Sequence, residues 1–151
     1  MTNVEVTGEA VPRFSRREIA AYTRTVLLTL EKLDRIPVEI SEVSIALVDD
    51  ATMTGLNRKF RRKARTTDVL TFPADDSYND PSQKGVRPLG DIVISVDQAR
   101  RQAADERHST ATEIRYLILH GILHALGYDH EADQGEMNAL EIEVREAVGL
   151  V

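Results

Sequence analysis

ATEIRYLILHGILHALGYDH, residues 111–130, reads as an apolar helix over 111–126 followed by a chain reversal. Leu119, Ile122, Leu123 and Leu126 fall on one side of that helix, the side that anchors it in a core. His120 and His124 fall on another, one turn apart and about 6 Å along the axis, so both imidazoles project from the same face. Gly127 accepts the left-handed geometry that ends a helix, and the turn it permits brings His130 back toward the other two.

Such a helix needs a partner layer, and the flanking sequence supplies one. VSIALVDD (43–50), DVLTFP (68–73) and DIVISV (91–96) are short apolar runs closed by acids or proline, as strands are. Between them lie helical patterns. SRREIAAYTRTVLLTL (15–30) opens on a serine and spaces Ile19, Tyr22, Val26, Leu27 and Leu30 at helical intervals. ATMTGLNRKF follows the first strand, a polar helix runs near 97–107, and a capped one near 133–147. DDSYNDPSQKGVRP (75–88) has loop composition. Strands interleaved with helices predict an α/β (α+β) fold: a small mixed four-stranded sheet covered by about five helices, with a three-histidine metal site on the apolar one.

The 151 residues fit a single domain, 1–151, able to bury its own core. Hydrophobic and charged fractions of 42% and 29% favour neither a disordered nor a membrane class. No apolar run reaches the ~18 residues of a membrane span, and the opening MTNVEVTGEAVPRF lacks a secretory pattern, which predicts a cytoplasmic protein without a membrane partner. There is no cysteine, so a metal must be held by His, Asp or Glu. The net charge of −6 argues against a chain wrapped in nucleic acid, but the average conceals a segregation. RKFRRKAR (58–65) carries six positive charges and no acid, which leaves −12 for the remainder.

Three of the four histidines occupy eleven residues as His-x3-His-x5-His. A closed structural zinc site takes four protein ligands, whereas three leave a position open for chemistry. The array matches the histidines and glycine of the metzincin protease pattern HExxHxxGxxH, with Gly121 where the general-base glutamate belongs. A peptidase needs that glutamate; phosphodiester hydrolysis is less demanding, because zinc itself lowers the pKa of water to about 7 and stabilises phosphorane oxygens. RNA therefore fits better than peptide. A glutamate placed at 121 is expected to sit beside the open coordination position and repel a phosphate there.

HGILHALGYDH together with LNRKFRRKARTTDVLTFP (56–73) and LGDIVIS (89–95) resembles the YbeY family of bacterial zinc endoribonucleases, over most of the chain. The resemblance implies one Zn2+ per chain held by His120, His124 and His130, catalytic roles for Arg61 and His120, and single-strand-specific cleavage in rRNA maturation. It further implies 16S rRNA 3′ end processing, ribosome quality control, and rRNA with the ribosome or its proteins as partners. Thr71 stands where the family usually has serine, and Ala64 where it often has an acidic or polar residue.

Arg61 in a basic segment can grip a phosphate and stabilise charge at a five-coordinate phosphorus. Arg58, Lys59, Arg62, Lys63 and Arg65 are expected to contact RNA backbone. Phe60 is expected in the core rather than as a base-stacking platform. Asp129 or Asp91 is a candidate to orient a ligand histidine; His108 reads as an exposed helix-end residue and Glu113 as structural. Two rival functions remain: a non-catalytic ribosome-associated RNA-binding protein with a structural zinc, and a metallopeptidase.

Overall fold

A computed structural model describes residues 2–36, 39–61, 67–74, 85–129 and 131–150. The elements run β1 (Asn3–Gly8), α1 (Arg16–Lys32), β2 (Glu39–Ile40), β3 (Glu42–Val48), α2 (Asp50–Arg61), β4 (Val69–Pro73), β5 (Val86–Arg87), β6 (Gly90–Ser95), α3 (Val96–Glu106), α4 (Thr110–Ala125) and α5 (Glu136–Ala147). The main sheet has the order β1-β3-β6-β4, with β1, β3 and β6 parallel and β4 antiparallel at the edge. The mixed four-stranded sheet and the five described helices match the expected architecture.

Local chemistry sets the helix boundaries. Ser15 Oγ accepts the Glu18 N–H while Glu18 Oε1 accepts the Ser15 N–H, both at 3.1 Å, a capping box that starts α1. Asp49, at the acidic end of the predicted 43–50 strand, leaves β3 to cap α2. Its Oδ1 accepts the Thr52 N–H at 2.8 Å, which holds the carboxyl below its usual range. Ser95 and Ser109 cap α3 and α4 in the same manner.

The central strand β6 is buried on both faces. Ile92 and Ile94 join β3 and helices α1, α4 and α5 in the large core, while Val93 points to the opposite face, against Met53 of α2 and Leu70 of β4. A strand covered on both sides reads as a continuous apolar run, which is why DIVISV was legible. β1 was not among the predicted strands, although its alternation, Val4 buried and Val6 half-buried on either side of exposed Glu5, was there to be read. The predicted loop 75–88 lies largely outside the described residues. Its end carries β5, paired in parallel with β2, and two-residue strands have no periodicity to detect. Among the described residues no helix is long and apolar enough to cross a membrane.

Candidate active site

The sheet fixes the site by what it places against α4, which packs on β4 and β6. The last two turns of α4 carry His120 and His124, and the helix ends as expected. Gly127, at φ 103°, donates its N–H to the His124 carbonyl (3.0 Å) and Tyr128 donates to Leu123 (3.1 Å). These two bonds form a Schellman motif. The reversal brings Gly127, Tyr128 and Asp129 to the rim of a cleft of about 540 Å3. The cleft's other walls are β4 with Thr67 and Asp68, and the end of α2, which contributes buried Asn57 and Arg61.

The two imidazoles converge. His120 Nε2 and His124 Nε2 stand 3.0 Å apart, with ring centroids at 4.5 Å and planes at 75°. Two nitrogens bound to one tetrahedral ion at ~2.0–2.1 Å each stand about 3.3 Å apart, so the pair is within a small adjustment of chelating geometry. Behind them, His120 Nδ1 lies 2.7 Å from Glu141 Oε1 on α5. The carboxylate accepts the Nδ1 proton and leaves Nε2 as an electron-pair donor turned toward His124, the arrangement that metal-ligating histidines use. By donor chemistry and by geometry the pair fits a divalent ion. Among the described residues no group of three or more His, Cys, Asp or Glu assembles, and His130 lies outside them.

Glu141 rather than Asp129 or Asp91 orients His120. Asp129 Oδ1 accepts the Glu131 N–H at 3.0 Å, and Asp91 is exposed on β6. The sequence held a signal for Glu141: it shares a helical face with buried Met137 and Val144, an acid interrupting an apolar stripe. It is only 12% exposed and also meets Arg145 Nη2 at 3.4 Å. Glu141→Ala is expected to lower metal affinity about 10–100-fold with the fold retained, Glu141→Gln less, as measured by competition with a chromophoric chelator. Unchanged affinity in the alanine variant would remove Glu141 from this role.

The other expectations divide. Arg61 enters the cleft; Arg58 and Lys59 precede it on the last turn of α2 and are exposed; Arg62, Lys63 and Arg65 lie outside the described residues. Phe60, expected in the core, is 54% exposed, because α2 turns Met53 rather than Phe60 onto the sheet. His108 is not an exposed helix end: its Nε2 lies 2.7 Å from Glu113 Oε1, and the pair is largely buried where α4 begins. Gly121 does not face the cleft. A Cβ built there comes 2.7 Å from Cγ2 of Ile92, so the glycine faces β6 and lets α4 approach the sheet. A glutamate at 121 therefore meets the core and not the open coordination position.

The family model described as endoribonuclease YbeY matches residues 5–149. The endoribonuclease YbeY of Nautilia profundicola is 46% identical over 109 residues, covering 72% of this chain and 73% of the relative. That of Sulfurovum sp. is 38% identical over 128 residues, covering 83% and 86%. The solution structure of TM1509 from Thermotoga maritima superposes with a TM-score of 0.61 at 26% identity, over 96% of this chain and 88% of that one. A match over nearly the whole sequence, together with a fold that brings the histidine pair and Arg61 into one cleft, establishes that this chain belongs to the endoribonuclease YbeY family.

Proposed function

We propose that the chain is a zinc-dependent, single-strand-specific endoribonuclease that works in rRNA maturation, including 16S rRNA 3′ end processing, and in ribosome quality control. As a member of its family it is a hydrolase of RNA phosphodiester bonds. The observation that carries the fuller reading is the convergence of His120 and His124 on a cleft that Arg61 also lines. We read residues 1–151 as one catalytic domain of the cytoplasm, with rRNA and the ribosome or its proteins as partners.

His120, His124 and His130 would hold the ion. Zinc there supplies Lewis-acid chemistry, bringing the pKa of water to about 7 and polarising a phosphoryl oxygen. The chain's own residues do the rest. Glu141 fixes the tautomer and direction of His120. Arg61 offers a planar fork of donors to the non-bridging phosphate oxygens and stabilises the charge that grows on them as phosphorus becomes five-coordinate. Arg58 and Lys59, with Arg62, Lys63 and Arg65, hold the strand by its backbone and so position it without reading its sequence.

Arg61→Ala is expected to slow cleavage of single-stranded RNA about a hundredfold, the effect of losing one electrostatic donor, with bound metal unchanged. Cleavage rates on labelled single-stranded and duplex RNA, alongside metal analysis of the same preparations, test both halves. An Arg61 variant at the wild-type rate would exclude it from the reaction, and a wild-type protein inactive on single-stranded RNA would overturn the proposal.

A further inference from the structure

Phe60, Leu28 and Ile142 are the large apolar side chains exposed among the described residues. A lone exposed apolar residue means nothing by itself. Phe60 differs in its surroundings. It adjoins cleft residue Arg61 in the chain, as neither of the others does. Its ring is braced edge-to-face by Phe72, with centroids 5.1 Å apart and planes at 75°. Phe72 is in turn packed against the cluster of Met53, Leu70 and Val93, of which Leu70 also lines the cleft. Cations surround the exposed ring: Lys59 Nζ lies over it, 5.3 Å from its centroid, on a long side chain that a base laid on that face would displace toward its phosphate, and Arg58 and Arg61 share the same helical turn.

We infer that Phe60 is a stacking platform for an unpaired nucleobase of the RNA strand next to the cleft, a role that rests on the endoribonuclease reading. A base needs a flat apolar face held still, with positive charge close by for the phosphates on either side. Phe72 holds the ring; Lys59 stands within reach of a phosphate beside any base laid on it. A protein partner fits less well, since the centre of a protein interface is depleted in charge whereas this ring sits among cations. A stacked base is also one that is out of a duplex, so the platform gives the preference for single strands a physical origin: paired bases present no free face.

The test uses the full chain and a short end-labelled uridine oligomer methylated at its 2′ oxygens, with binding read by fluorescence anisotropy. Phe60→Leu keeps the apolar packing on Phe72 and removes the flat face, and is expected to weaken binding about tenfold. Phe60→Trp is expected to bind at least as tightly as wild type. The salt dependence should stay the same in both, whereas Lys59→Ala should flatten its slope by about 0.7, because only the lysine releases counterions. An oligomer of the same length with abasic residues should bind wild type and Phe60→Leu alike. Wild-type affinity in the leucine variant, or a tryptophan variant as weak as leucine, would overturn the stacking role alone. A wild-type protein that binds no RNA would overturn the endoribonuclease reading as well.

Discussion

His124→Ala is expected to release the metal ion and, with it, RNA cleavage, while the chain stays folded. Structural zinc sites with four protein ligands are worth ~10–16 kcal/mol in apparent affinity, which spreads to ~2.5–4 kcal/mol per ligand. At 1.4 kcal/mol per factor of ten, removal of one imidazole weakens binding on the order of a hundredfold to a thousandfold. The remaining geometry offers no repair. His120 is held in place by Glu141, and the chelating pair depends on His124 Nε2 standing 3.0 Å from His120 Nε2. The fold should persist because His124 is a half-buried residue of the last turn of α4, whereas that helix is held by Ile114, Ile118, Leu119, Ile122 and Leu123, all essentially inaccessible to solvent. Metal content by mass spectrometry, with a thermal melt on the same sample, checks both statements. A full equivalent of tightly held metal in the variant would place the site elsewhere.

Gly121→Glu is expected to unfold the protein rather than to change its substrate. The built Cβ lies 2.7 Å from Ile92 Cγ2 and 3.3 Å from its Cγ1 and Cδ1. Ile92 is fully buried in the central strand, so its side chain must repack or α4 must shift from the sheet. Overpacking of this kind costs about 1–3 kcal/mol before any charge is counted. The carboxylate adds the larger share, since it enters an apolar helix–sheet interface where no partner for it is seen among the described residues. Together these terms approach the ~5–15 kcal/mol that holds an ordinary domain folded. Gly121→Ala separates the contributions: it keeps the crowding and omits the charge, and alanine's better helix propensity returns about 1 kcal/mol. Urea denaturation should therefore show the alanine variant modestly destabilised and the glutamate variant without a native baseline. A glutamate variant with a wild-type midpoint would mean that position 121 faces solvent after all. Restoring the HExxH pattern thus says nothing about peptidase activity here. Gly121 is explained by packing, and no lost catalytic base needs to be invoked for it.

Whatever depends on neighbours close in the chain was legible in the sequence. The helix at 111–126, the turn at Gly127, the cap at Ser15 and the strands around 43–48, 69–73 and 91–95 all follow from periodicity and capping, which are set within one or two turns of backbone. The spacing of His120 and His124 fixed their common face, and the basic run at 58–65 was plain from composition. Pairings between distant segments were decided by the tertiary structure. Only the parallel packing of β3 on β6, with α2 on one face and α4 on the other, brings Arg61 and the histidine pair to one cleft. Glu141 reaches His120 across 21 residues because α5 folds back onto α4, and no spacing rule links residues that far apart. The same packing turned Phe60 outward and Gly121 inward, opposite to what each residue type suggested. Which side of a helix faces the core depends on the layer that covers it, and for α2 and the end of α4 that layer is built by strands far away in the chain.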